Sequence, residues 1–214
     1  IPQRFRVMNS KLPNKYEIIQ KMQSCENSKF EGWVESALNL PLQKYAHPPL
    51  HEPTNKEITD FLLESKHTMD QIVHGQCNAK EEILRLICQW TVSGYLNSFA
   101  IGFEGPPGIG KTTFAKNILS KTMNRPFCFI SLGGMSDASS LVGHSYTYEG
   151  AICGRIAECI KQCGVMNPIL YFDELDKISK TPKGDEIINI LIHLTDKEQN
   201  SHFRDRFFHG IDLD

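Results

Sequence analysis

The sequence has 214 residues, of which 40% are hydrophobic and 22% are charged, a composition typical of a folded globular protein and unlike that of a disordered chain. Its formal net charge of −2 gives no basic footprint, so charge alone does not imply a nucleic-acid partner. No apolar run approaches the roughly 18 to 20 residues that span a bilayer, and the seven cysteines do not frame short loops. These features predict a soluble protein without a membrane partner, with reduced thiols, in the cytoplasm or an organelle matrix.

The first part of the chain is predicted to be helical. Residues 15–45 form two predicted helices with a break at Ser24 to Ser28. The second helix carries one apolar stripe at helical spacing, made of Phe30, Trp33, Val34, Ala37 and Leu38. Residues 45–53 contain three prolines and are typical of an extended linker. We therefore expect a helical N-terminal segment, 1–53, and a second domain, 54–214. Because the chain does not begin with Met, we also expect it to be part of a longer protein.

The second part has the pattern of an α/β fold. Thr54 and Glu57 form a capping box at the start of one predicted helix, and another is predicted after Asn78. Three apolar runs follow at 99–105, 126–132 and 168–174. They alternate with predicted helices near 112–123 and 154–163, which indicates a parallel sheet with helical crossovers.

The segment GPPGIGKT, residues 105–112, fits the pattern G-x-x-x-x-G-K-[ST] between a predicted strand and a predicted helix. Its glycines let backbone N–H groups curve around phosphates, the Lys111 ammonium reaches the β and γ oxygens, and the Thr112 hydroxyl is a ligand for Mg²⁺. The competing interpretation is a tight Gly-Pro turn with an exposed lysine. The predicted nucleotide-binding residues of this loop are Gly105, Pro106, Pro107, Gly108, Ile109, Gly110, Lys111, Thr112 and Thr113.

The third apolar run ends in two adjacent acids, Asp173 and Glu174. Adjacent carboxylates at the end of a strand are costly to bury unless a cation or a proton transfer requires them. We therefore expect Asp173 to bind Mg²⁺, through water, and Glu174 to act as the general base for the water that attacks the γ-phosphate. A strand that ends in solvent-exposed acids is the alternative. Asp176 and Lys177 lie either near the γ-phosphate or in a surface ion pair.

At this point the sequence resembles the AAA+ ATPases, and among them the Lon ATP-dependent proteases. The resemblance runs over almost the whole chain. It is carried by IPQRFRVMNSKLP, by WVESALNLPLQKY with its W-x(7)-P-x(2)-K-Y pattern, and by GPPGIGKTTFAK, ISLGGMSD, GHSYTYEGAICGRI, NPILYFDELDKI and DKEQNSHFRDRF, in order. It implies a P-loop AAA+ three-layer parallel-sheet core, incomplete at its C-terminal end, and it implies ATP and Mg²⁺ as cofactors.

The resemblance also implies two further sites. The hinge of the adenine pocket corresponds to Val73, His74 and Gly75. The alternative for His74 is a solvated residue at the end of a helix. Tyr148, Glu149 and Gly150 take the place of a loop that projects into an axial pore and grips unfolded polypeptide. Here Glu149 replaces the usual hydrophobic residue, and Ser145-Tyr146 replace a typically basic pair. Packing within a surface loop is the alternative for Tyr146 and Tyr148.

The family resemblance implies a function for the longer protein. ATP hydrolysis in a homo-hexameric ring would unfold protein substrates and move them toward a serine-lysine protease domain that lies outside this chain. Lys111 and Glu174 would be the catalytic residues. An AAA+ remodelling ATPase without a protease domain is the runner-up, and a nucleotide-gated scaffold without turnover is a third possibility that an intact base argues against.

Overall fold

The computed structural model describes residues 3–24, 28–93, 99–196 and 198–213. The first two residues of the IPQRFRVMNSKLP motif, residues 25–27 of the predicted helix break and Lys197 of DKEQNSHFRDRF lie outside the described residues. The chain divides into two compact units, one made of residues 1–45 and 128–214 and the other of residues 46–127. Each unit is described by itself below. The predicted partition into 1–53 and 54–214 stays a prediction.

The described residues form short helices and two strands in alternation. In chain order the elements are α1 (Gln3–Met8), α2 (Lys15–Ser24), α3 (Ser28–Leu38), α4 (Asn55–Ile72), α5 (Cys77–Val92), α6 (Lys111–Thr113), a π-helical segment (Phe114–Leu119), α7 (Ser120–Thr122), β1 (Phe127–Ser131), α8 (Ser139–Val142), α9 (Arg155–Cys163), β2 (Ile169–Asp173) and α10 (Pro182–Thr195). Two 3₁₀ turns, Leu175–Lys177 and Asn200–His202, complete the list.

The second unit is built on the helical hairpin of α4 and α5. The predicted capping box is confirmed: the Glu57 backbone N–H donates to the Thr54 hydroxyl, and the Glu57 carboxylate accepts from the Thr54 backbone N–H at 2.8 Å. The buried Lys80 ammonium on α5 donates to Asp70 on α4 at 2.7 Å. A buried ammonium is tolerated when it is paired in this way, and the contact links the two helices.

The sheet of the first unit has β1 beside β2 and is parallel. The Leu132 backbone N–H, just past the end of β1, donates to the Asp173 carbonyl at the end of β2 at 2.9 Å. The carboxyl ends of both strands therefore lie at the same edge, and α9 is the crossover helix between them. The α/β fold class is confirmed by this arrangement.

One predicted strand is wrong: residues 99–104 of the first apolar run are in neither a helix nor a strand. A strand needs ladder hydrogen bonds from a neighbour, and Gly102 in the middle of this run weakens its intrinsic preference for extended pairing. The apolar pattern alone therefore overestimated the number of strands.

The N-terminal helices pack into the core of the first unit. The apolar stripe of α3 is buried as predicted at Phe30, Trp33, Val34 and Ala37, and Leu38 is half-buried. The Trp33 indole N–H donates to the Phe207 carbonyl at 2.7 Å, across 174 positions of sequence. This bond satisfies a buried donor, and it ties α3 to the last described segment of the chain.

Two of the seven cysteines are not reduced thiols. Cys128 on β1 and Cys159 on α9 form a disulfide, with 5.9 Å between their Cα atoms. The prediction of reduced thiols is therefore wrong for this pair. The sequence signal failed because the two cysteines are 31 positions apart, and only the packing of the crossover helix on the sheet brings them together.

Among the described residues, no helix is both long enough and apolar enough to pass through a bilayer.

Candidate functional site

The phosphate loop, residues 105–112, has the backbone that its glycines allow. Gly105, Gly108 and Gly110 have φ values of 153°, 82° and 92°, in the left-handed region that other residues rarely adopt. The loop leads into one continuous helical stretch, α6, the π-helical segment and α7. A glycine loop that opens a helix presents backbone N–H groups and the positive end of the helix dipole to an anion.

The Lys111 side chain folds over this loop. Its ammonium donates to the carbonyl of Gly105 at 2.7 Å and to that of Pro106 at 3.0 Å. These are neutral acceptors, and a phosphate oxygen makes a stronger, charge-assisted bond with an ammonium. The Lys111 ammonium is therefore held against the loop, and it can exchange these carbonyl oxygens for the oxygens of a bound phosphate.

The residue that follows the predicted hinge, residues 73–75, contacts the phosphate loop within the second unit. Val73 is buried at the end of α4, and His74 and Gly75 are exposed. The next residue, Gln76, donates from its side-chain amide to the Ile109 carbonyl at 2.7 Å. The structure thus joins two segments that the sequence treated separately, through a residue that sequence reasoning missed.

In the first unit, Asp173 is half-buried at the last position of β2, and Glu174 is exposed beyond it. Glu174 has φ = 59°, a left-handed conformation that is uncommon for a residue with a side chain. This backbone turn aims its carboxylate at the end of β1, where the Ser131 hydroxyl donates to it at 3.3 Å. A Cβ on Gly133 would lie 2.0 Å from a Glu174 carboxylate oxygen, so the carboxylate occupies space that only glycine leaves open.

Asp176 and Lys177 form an ion pair with 3.5 Å between their charged atoms, and both side chains are mostly exposed. This matches the surface ion pair that the sequence left as an alternative. An exposed pair of this kind contributes little to stability.

Residues 144–153, called the tyrosine loop below, leave one aromatic ring in solvent. Tyr148 is 68% exposed, and Glu149 and Gly150 beside it are also exposed. Gly150 has φ = 71°. An exposed ring of this kind is free to contact another molecule.

Tyr146 has the opposite environment. Its ring lies 6.2 Å from that of Phe30 and 5.8 Å from that of Trp33, measured between centroids, and its hydroxyl accepts from the Lys21 ammonium at 2.6 Å. The packing interpretation therefore holds for Tyr146 and does not hold for Tyr148. Tyr146 anchors the tyrosine loop to α2 and α3.

Two glycines close the base of the tyrosine loop. A Cβ on Gly143 would lie 2.7 Å from the backbone nitrogen of Gly154, and a Cβ on Gly154 would lie 2.1 Å from the Leu141 carbonyl oxygen. The His144 N–H donates to the Ile152 carbonyl at 3.3 Å. The two ends of the loop therefore approach more closely than side chains would permit.

A buried carboxylate lies against this base. Asp205 is 1% exposed and accepts from the backbone N–H of Gly154 and from that of Phe207, each at 2.8 Å. Burial raises the pKa of Asp205 to about 6, against the lowering effect of the backbone N–H groups of Gly154, Phe207 and Phe208 and of the Lys161 charge. Sequence reasoning did not single out Asp205, because its partners are distant in sequence.

The chain matches a known family over about half of its length. Residues 101–209 match the AAA family, described as the ATPase family associated with various cellular activities. This segment includes both the phosphate loop and the Asp173-Glu174 pair. The chain therefore belongs to the AAA ATPase family.

Its relatives are Lon proteases. The chain is 39% identical over 156 residues to a Lon protease homolog of Acanthamoeba polyphaga mimivirus, a match that covers 72% of this chain and 15% of the relative. It is 32% identical over 210 residues to the Lon protease of Fusobacterium nucleatum, which covers 97% and 26%, and 34% identical over 194 residues to Lon protease 1 of Bacillus subtilis, which covers 91% and 23%. The chain is thus an AAA+ module of the Lon type, and it spans about a quarter or less of the length of these relatives.

The donor chemistry of the predicted metal ligands fits Mg²⁺. The Thr112 hydroxyl and the Asp173 carboxylate are hard oxygen donors, which Mg²⁺ prefers. Within the described part of the chain, no group of three or more His, Cys, Asp or Glu side chains could hold a metal ion.

Proposed function

We propose that this chain is the ATP-binding and ATP-hydrolysing motor module of a Lon-type ATP-dependent protease, which unfolds and translocates protein substrates. The observation that carries the proposal is the phosphate loop. Three of its glycines have positive φ, and the Lys111 ammonium donates to the Gly105 carbonyl within it. Membership of the AAA family supports it. In the full-length protein we expect a homo-hexameric ring that acts on unfolded or misfolded proteins.

The residues of the nucleotide site are assigned as follows. The loop residues 105–113 bind the phosphates, Lys111 neutralises their developing charge, and Val73, His74 and Gly75 contact the base. Thr112 and Asp173 hold Mg²⁺, which supplies charge neutralisation at the phosphates when it is bound. The Gln76 contact to Ile109 supports the hinge assignment, because it places the hinge segment next to the phosphate loop.

Glu174 is assigned as the general base. Its carboxylate is positioned by the Ser131 hydroxyl and by the space beside Gly133. It takes the proton of the attacking water as the water oxygen bonds to the γ-phosphorus, the bond from that phosphorus to the β–γ bridging oxygen breaks, and ADP leaves. Positioning of this kind matters because most of the catalysis in phosphoryl transfer comes from orientation and charge stabilisation.

Tyr148 is assigned to the contact with the polypeptide. An exposed aromatic ring offers a large contact area that tolerates many substrate sequences, at a low cost in conformational entropy. Glu149 beside it adds one negative charge per subunit, so we expect a preference for basic segments of the substrate.

The substitution Lys111→Ala in the full-length protein tests the nucleotide site. We expect ATP turnover to fall by about a hundredfold or more, because one charge-stabilising group at the transferred phosphate is lost. Lys116→Ala is the matched control, since Lys116 is exposed on the same helical stretch and should leave turnover within about twofold. Normal ATP hydrolysis by Lys111→Ala would overturn the proposal.

A further inference from the structure

The tyrosine loop is attached to the rest of its unit by contacts that are distant in sequence. Its tip, with Tyr148, is exposed, and its base is formed by the close approach of Gly143 and Gly154. Hydrogen bonds join the two segments at this base, and the strongest kind is made to a charged acceptor.

Asp205 supplies that acceptor. One carboxylate oxygen accepts from Gly154 at the C-terminal end of the loop, and the other accepts from Phe207 on its own segment. The backbone N–H of Arg206 donates to the Val142 carbonyl at 2.7 Å, next to the N-terminal end of the loop. The segment 205–207 therefore bonds to both sides of the loop base.

We propose that Asp205 is a positioning residue for substrate gripping: it holds the ends of the tyrosine loop together, so that Tyr148 transmits force from a fixed base. The inference rests on the proposed function, because it takes Tyr148 as the residue that contacts the polypeptide. Asp205 itself is not proposed to contact the nucleotide or the substrate. Its effect reaches the substrate through the geometry of the loop.

This role needs a side chain with two acceptor oxygens. Both of its oxygens face backbone N–H donors, so both must be acceptors. Asparagine has the same shape but only one acceptor oxygen, and its NH₂ group would face an N–H donor. The substitution Asp205→Asn therefore removes one of the two contacts with little change in volume.

Hydrogen exchange in the full-length protein tests the positioning directly. In Asp205→Asn we expect amides of the tyrosine loop and of Gly154 to exchange about 10- to 100-fold faster, while amides of α3 and β2 are unchanged. Asp212→Asn is the matched control, because Asp212 is on the same segment and pairs with Arg204 in a more exposed ion pair. Unchanged exchange in the loop of Asp205→Asn, or faster exchange throughout the unit, would overturn the inference.

A functional readout separates positioning from a general role in the fold. In Asp205→Asn we expect substrate cleaved per ATP hydrolysed to fall about tenfold while ATP turnover stays near that of the wild type. Combined with Tyr148→Ala, Asp205→Asn should cause no further loss, because both changes act through the same ring. Additive losses in the double variant would show that Asp205 acts elsewhere.

The two proposals can fail separately. If Tyr148→Ala degrades substrate normally, the assignment of the tyrosine loop to substrate gripping is wrong, whatever the exchange data show. If Tyr148→Ala is uncoupled but Asp205→Asn exchanges and degrades like the wild type, only the positioning role is wrong.

If Asp205→Asn does not fold, hydrogen exchange of the wild-type protein provides the test. The amides of Gly154 and Phe207 should then exchange at least about a hundredfold more slowly than those of residues 147–150, since a shared buried acceptor protects both. Rapid exchange at Gly154 in the wild type would overturn the inference.

Discussion

The phosphate loop and the tyrosine loop are both surface loops with glycines at positive φ, but they are held in different ways. The phosphate loop is held mostly by contacts close in sequence: its three glycines, the Lys111 bonds to Gly105 and Pro106, and the helix that follows. The bond from Gln76 to the Ile109 carbonyl adds a contact from 33 positions away. The tyrosine loop is held by the contacts of Tyr146 with α2 and α3. It is also held by Asp205, which accepts from the N–H of Gly154, 51 positions earlier in the chain. The first loop is therefore encoded locally, and the second depends on the whole fold of its unit.

This difference has a functional meaning. A nucleotide has one shape, and a short preformed loop of backbone donors suits it. Under the proposed function, the tyrosine loop contacts a polypeptide that has no fixed shape and exerts force, so a base anchored in a hydrophobic core suits it. We expect substitutions in the core of the first unit to alter the tyrosine loop and to leave the backbone of the phosphate loop unchanged.

The largest effect is expected at the acidic pair. Glu174→Gln should lower ATP turnover by about 10²- to 10⁴-fold and leave ATP binding intact, because it removes a base and keeps the shape of the side chain. Steady-state turnover and nucleotide affinity measured on the same preparation check this. Asp176→Asn, two residues away and exposed, is the control and should be near normal. Unchanged turnover in Glu174→Gln would remove Glu174 from the catalytic assignment.

The pH dependence of stability comes next and concerns the base of the tyrosine loop. Because burial raises the pKa of Asp205 from 3.8 to about 6, the folded state binds its proton more tightly than the unfolded state does. The stability that this group contributes is full below about pH 4 and is lost as the pH rises through about 6, by up to about 3 kcal/mol. The Lys161 charge faces the carboxylate and limits this loss, and Cys153 is the neighbouring thiol, whose own pKa is raised by burial.

Thermal melting at pH 4.5 and pH 7.5 checks the sign. Relative to Asp205→Asn, which has no charge to bury, the wild type should lose stability as the pH rises. A difference in Tm between the two proteins that does not change with pH would show that Asp205 is not the titrating group.

A smaller effect is expected at Gly133. In Gly133→Ala the new Cβ would lie 2.0 Å from a Glu174 carboxylate oxygen, so the carboxylate must move, and we expect ATP turnover to fall about 10- to 100-fold with binding intact. Gly32→Ala is the control for the same substitution, since a Cβ there would meet nothing within 4 Å. If Gly133→Ala hydrolyses ATP at the normal rate, the positioning of Glu174 at the end of β1 is unimportant.

The smallest effect is expected at the aromatic anchor. Tyr146→Ala should destabilise the tyrosine loop by about 1–2 kcal/mol, because a half-buried ring is removed from Phe30 and Trp33. Proteolytic cleavage within residues 144–153 should then become about tenfold faster, with ATP binding unaffected. Tyr146→Phe keeps the ring and loses only the bond to Lys21, so it should behave like the wild type. Equal cleavage rates in all three proteins would contradict the anchoring role.

The contrast between the two loops also explains what the sequence could predict. The capping box at Thr54, the helix after the phosphate loop and the strand that ends at Asp173 were predicted correctly, since each depends on residues a few positions apart. Three contacts could not be predicted, because each joins segments that only the tertiary fold brings together. They are the Asp205 bond to Gly154, the Cys128–Cys159 disulfide and the Ser131 bond to Glu174. Gly102 shows the converse, where an apolar run predicted a strand that the described structure does not form.

The tyrosine loop illustrates both cases within ten residues. The resemblance assigned Tyr148 to the pore loop and left packing open as the alternative for both Tyr146 and Tyr148. Burial separates them, because one ring packs on α3 and the other is 68% exposed. The packing of Tyr146 against the core depends on α3, which is more than 100 positions earlier in the chain, so a local pattern could not reveal it.

We propose that this module couples ATP hydrolysis to the movement of a polypeptide and that Tyr148 makes the contact. The sharpest test is degradation of an unfolded protein substrate by the full-length Tyr148→Ala variant, measured together with its ATP turnover. We expect ATP turnover within about twofold of the wild type and degradation reduced about tenfold or more. Degradation at the wild-type rate, with ATP turnover intact, would contradict it.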